Sequence, residues 1–89
     1  AMEDKEKKGH FDACIMDWSL SDIRDSEGEN WPVIVGKVWS DKLNRWEDGT
    51  PIRTGIVRSM PKPPLRFGDL IRTKTSSYLL GRPSDATIQ

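Results

Sequence analysis

Residues 31–40 read WPVIVGKVWS, and this run decides the fold class. It is dense in β-branched and aromatic side chains, which suit a pleated, half-buried backbone. Val33, Val35 and Trp39 fall on one face, interrupted by Lys37, while Ile34 and Val38 lie on the other with Gly36 between them. A glycine inside such a run predicts a bulge or a strong bend of the kind that curls a sheet.

The chain on either side keeps the same character. Residues 41–49 form a polar loop carrying Arg45 and Trp46 and closing on Asp48-Gly49, a dipeptide that favours positive φ. Residues 51–60 read as a second strand, with Ile52, Thr54 and Ile56 facing one way and Arg53, Gly55 and Val57 the other. Pro61-Lys62-Pro63-Pro64 lacks amide donors at three positions and predicts an exposed connection or edge. Residues 70–80 alternate only if the register slips near Ser76-Ser77, which predicts a bulge or a short hairpin turn there. Upstream, residues 11–20 predict a strand with both faces partly covered, or a helical turn beginning at residues 19–22. Residues 25–30 form a loop rich in acids, with Gly28 inside it. The expected architecture is mainly β: a small antiparallel barrel or curled sheet of four to five strands, SH3-like or OB-like, with little helix. It occupies residues 11–83, with disordered tails at 1–10 and 84–89.

Charge is divided along the chain. Residues 1–30 carry nine acids against four bases, and residues 31–89 carry ten bases against five acids, although the whole chain is formally neutral. The core must be thin, because only 35% of the residues are hydrophobic, and four tryptophans supply much of its bulk. Small domains of this kind gain stability by associating and by covering their sheet edges, which predicts a homodimer. Cys14, the lone cysteine, excludes an internal disulfide and points to a buried thiol in a reducing, cytoplasmic setting. No apolar run reaches the length of a membrane span.

Enzyme chemistry finds no foothold. Asp17, between Met16 and Trp18, is the one acid in an apolar context and has no identifiable partner. His10 is the only histidine, the serines at 59, 76 and 77 lack a base nearby in sequence, and no glycine pattern cradles a phosphate. No catalytic residue, metal or cofactor is expected. Two binding classes remain. Arg45 and Trp46 belong to residue types that dominate interface hot spots, and with Arg53, Arg58 and Trp31 they make the expected surface for a protein partner. Lys37, Trp39, Arg72, Lys74 and Tyr78 interleave bases with aromatics and make the alternative, a surface that stacks and neutralises single-stranded nucleic acid or a nucleotide. Overall neutrality weakens the electrostatic attraction on which that alternative depends.

The line DGTPIRTGIVRS at residues 48–59, followed by IRTKTSSYLLG at 71–81, resembles small accessory proteins of bacteria and their phages. The resemblance implies a protein that acts by blocking or adapting another protein, and it assigns no role to any residue.

Overall fold

A strand with alternating apolar residues persists where one face can be hidden, and five segments of the chain meet that condition. The computed structural model describes residues 10–85. Its strands are β1 (Ala13–Arg24), β2 (Asn30–Trp39), β3 (Thr50–Arg53), β4 (Leu70–Arg72) and β5 (Ser77–Leu80), in one sheet of order β3-β2-β1-β5-β4. Helix is essentially absent among the described residues. The expected tails fall mostly on residues 1–9 and 86–89, which lie outside the described residues.

The fold is mainly β, with a correction to the expected antiparallel pairing. β1 is antiparallel to β2, and β4 to β5, but β1 and β5 run parallel, with Ala13 beside Tyr78 and Ile15 beside Leu80. The cause is the connection after β3, which carries the chain from one edge of the sheet to the other. The β4–β5 hairpin then lays its second strand along β1 in the same direction, and strands paired in parallel need a crossover of this kind. The sheet is mixed and is not closed into a barrel, although an isolated bridge joins Ser59 to Arg72 of β4.

Gly36 works through its partner strand. The β1–β2 register slips between Met16 and Ser19, and Asp17 there adopts a φ of 51°, a left-handed conformation that aspartate tolerates better than most residues. A Cβ on Gly36 would stand 2.6 Å from Ile15 Cγ2 and 2.8 Å from the Met16 carbonyl oxygen. The bend expected at Gly36 is therefore a bulge in β1 that presses onto a glycine. Asp17, the isolated acid of the sequence, is an exposed bulge residue.

The core gathers Ile15, Trp18, Ile34, Val38, Ile71 and Leu80, with Ala13, Val57 and Tyr78 beside them. Trp18 is buried, and its indole N–H donates to the Gly81 carbonyl at 2.7 Å. Trp46 packs on the core from its rim, whereas Trp31 and Trp39 are exposed. The expected second strand stops early, at Arg53. Thr54 N–H donates to the Ile34 carbonyl and Val57 N–H to that of Pro32. Three steps on this segment thus match two on β2. That extra residue turns Val57 inward and leaves Ile56 half-buried. The break expected near Ser76 is a hairpin turn, closed by Thr73 N–H to the Ser76 carbonyl at 2.8 Å.

Candidate functional site

Asp41 organises the loop between β2 and β3. Its side chain is fully buried, and its carboxylate accepts backbone N–H groups from Leu43 at 3.2 Å, Arg45 at 2.6 Å and Trp46 at 3.2 Å. A short polar side chain that satisfies the amides following it is an Asx-type device for building loops. Arg45 completes the arrangement: Nη2 pairs with Asp41 Oδ1 at 3.0 Å, and Nη1 donates to Ser76 Oγ at 2.7 Å. Its guanidinium carbon lies 4.4 Å from the centre of the Trp46 ring and 5.7 Å from that of Tyr78. The Arg45 hydrogen bond, helped by the backbone donors, holds the Asp41 carboxyl at a pKa of about 2.

This loop forms one wall of a groove of about 450 Å³. The end of β3 and the segment after it supply Arg53, Thr54, Ile56 and Arg58, the β4–β5 turn supplies Thr73, Lys74 and Thr75, and Trp46 and Tyr78 close it from the core side. No acid lines it. Arg53, Arg58 and Lys74 are exposed and have no ion pair among the described residues. The Thr54 hydroxyl is already committed, accepting from Ile34 N–H at 3.0 Å and donating to the Gly55 carbonyl at 2.8 Å. The groove therefore offers three unpaired cations above a floor whose own polar groups are satisfied.

The two residue sets read from the sequence are redistributed by the fold. Arg45, Trp46, Arg53 and Arg58 come together at the groove, and Lys74 and Tyr78 join them from the other set. Trp31 stands apart on β2, beside the β1–β2 turn, where its indole N–H donates to Asp25 Oδ2 at 2.9 Å. Lys37 and Trp39 are exposed further along β2, and Arg72 is exposed on β4, none of them lining the groove. Tyr78 is only 3% exposed, so its ring is packing rather than a platform. Neither binding set read from the sequence includes Asp41, Thr54 or Ser76. Of these, Asp41 had a signal, since an aspartate opening a loop ahead of Leu43, Arg45 and Trp46 can cap their amides.

Cys14, expected as a buried thiol, is half-buried, and that partial burial pushes its pKa upward. Among the described residues no group of three His, Cys, Asp or Glu side chains could hold a metal ion, and no helix is long and apolar enough to cross a membrane. No protein-family model, curated protein or solved structure matches the chain.

Proposed function

We propose that the protein is a non-catalytic protein-binding module that receives an acidic segment of a partner protein in the groove beside the Asp41 loop, blocking or adapting that partner in the cytoplasm. The observation that carries this reading is the set of cations Arg53, Arg58 and Lys74, which among the described residues have no ion pair and surround a concavity with no acid in its lining. Such a field attracts and orients an anionic ligand. The aromatic rings favour a peptide over a nucleic acid. Tyr78 is buried and Arg45 already stacks on Trp46, so neither offers a free face to a base.

The curled-sheet reading supports the same site. The Ser59–Arg72 bridge and the Arg58 N–H bond to the Arg72 carbonyl at 2.7 Å draw opposite ends of the strand order toward each other. We infer a sheet curling toward an SH3-like barrel, with the groove at its unclosed seam.

The test is a calorimetric titration with a glutamate-rich peptide and, separately, with an oligothymidylate. The peptide should bind, and the Arg53→Glu, Arg58→Glu double variant should weaken it by about tenfold or more. Binding of the oligonucleotide with quenched tryptophan fluorescence, and not of the peptide, would assign the groove to nucleic acid instead. Binding of neither at low salt would remove the groove from consideration.

A further inference from the structure

Strand β1 outlasts one of its two neighbours. β5 pairs with it only from Ala13 to Ile15, and the chain beyond β5 follows it as far as the Trp18 carbonyl, which accepts the Ser84 N–H at 2.8 Å. From there β1 continues to Arg24 with β2 on one side and, among the described residues, no strand on the other.

The direction of the free peptide groups follows from β2. The carbonyls of Pro32 and Ile34 accept the Val57 and Thr54 N–H groups, so the peptide groups at these positions face the β3 side. Their antiparallel partners in β1 are Asp22 and Leu20. In an antiparallel ladder such residues turn their own N–H and C=O groups away from each other's strand. Leu20, Asp22 and, two residues on, Arg24 therefore present donors and acceptors along the open edge, a ready template for another strand.

Charged residues on an edge can simply guard it against aggregation. Here they are also reciprocal. If a second copy pairs antiparallel about a two-fold axis through Ile23, Asp22 of each copy lies opposite Arg24 of the other, and Ile23 opposite Ile23. An axis at Asp22 would oppose two carboxylates. Leu20 and Trp31, each 40% exposed, line a shallow recess of about 410 Å³ on the same hairpin and give such a pair apolar surface to cover. We propose that the open edge of β1 is a self-association surface at which two copies pair about Ile23 through reciprocal Asp22–Arg24 contacts. The proposal is independent of what the basic groove binds.

Sedimentation equilibrium from about 10 to 500 µM suits an edge contact smaller than a standard interface. The chain should form dimers over this range. Asp22→Arg and Arg24→Asp, each checked for an unchanged melting temperature, should each raise the dissociation constant by about tenfold. The double exchange should restore it, and mixing the two single variants should yield a heterodimer. A chain that stays monomeric at the top of the range overturns the proposal, as does a dimer indifferent to both exchanges. A dimer lost only with Arg53→Glu and Arg58→Glu would mean that the acidic β1–β2 turn of one copy docks in the groove of another, and would equally overturn it.

Discussion

At the scale of single residues, Asp41 carries more of the site than either residue beside it that looks like a ligand contact. It neutralises Arg45 and fixes three amides, and its pKa of about 2 lies below the ordinary carboxylate value of 3.8. Because the folded-state value is lowered, its contribution to stability is complete above about pH 4 and is lost as the pH falls toward 2. Asp41→Asn should cost about 2 to 3 kcal/mol at neutral pH, since bonds to a charged acceptor are replaced by weaker ones. It should also flatten the acid limb of the stability curve, which chemical denaturation at pH 2 to 5 would reveal. Trp46 packs against the core while Arg45 stacks on it. Trp46→Ala should therefore lower stability by about 2 to 4 kcal/mol. A melting temperature unchanged in this variant would show the ring to be a ligand contact instead.

At the scale of elements, legibility followed burial. β2 was readable because Ile34 and Val38 are buried on one face, and its alternation reports that directly. β1 beyond Leu20 was not, because Ser21, Asp22 and Arg24 stand at an exposed edge where nothing selects β-branched or apolar side chains. The second expected strand failed at Thr54-Gly55, where a one-residue slip exchanges the inward roles of Ile56 and Val57. Such a slip leaves no trace in composition. The groove was half legible: the cations could be named from the sequence, but their grouping depends on the path of the chain between β3 and β4. Gly36 tests the bulge. Gly36→Ala should cost about 1 to 3 kcal/mol, since the added Cβ would meet the backbone of Met16 and cannot push it aside cheaply. Gly55→Ala, where the nearest added contact is Thr73 Cβ at 4.0 Å, should be tolerated in the same denaturation experiment.

At the scale of the molecule, the sequence-level division of charge becomes spatial. The β1–β2 turn carries Asp25, Glu27 and Glu29, and the groove carries the bases that have no ion pair among the described residues. Asp25 is held below its usual pKa, chiefly by the indole N–H of Trp31 and then by the Glu29 amide. Formal neutrality conceals an acidic turn and a basic groove. Attraction between either of these and an oppositely charged partner should weaken as salt rises from about 50 to 500 mM, because exposed charges are screened within about a Debye length. Measuring the peptide affinity across that range checks the expectation. The linear order of elements contributed little to predicting this layout, because the parallel pairing of β1 with β5 joins residues far apart in sequence, Ala13 with Tyr78.

That parallel pair also determines how the protein would respond to being pulled. A tether before β1 draws that strand back along its own axis, and a tether after β5 draws its partner the opposite way. The two strands must slide past each other, and the rungs from Ala13 to Ile15, with the Gly81 and Ser84 amide bonds beyond them, share the load at once. Tethers placed instead at Leu70 and Leu79 would part the antiparallel β4–β5 hairpin from its open end, one rung at a time. Rupture under force reports the unfolding barrier rather than equilibrium stability. Single-molecule stretching through residues 10 and 85 should therefore require a distinctly higher force than stretching through 70 and 79. Equal forces in the two geometries would show that the β1–β5 contact carries no mechanical load.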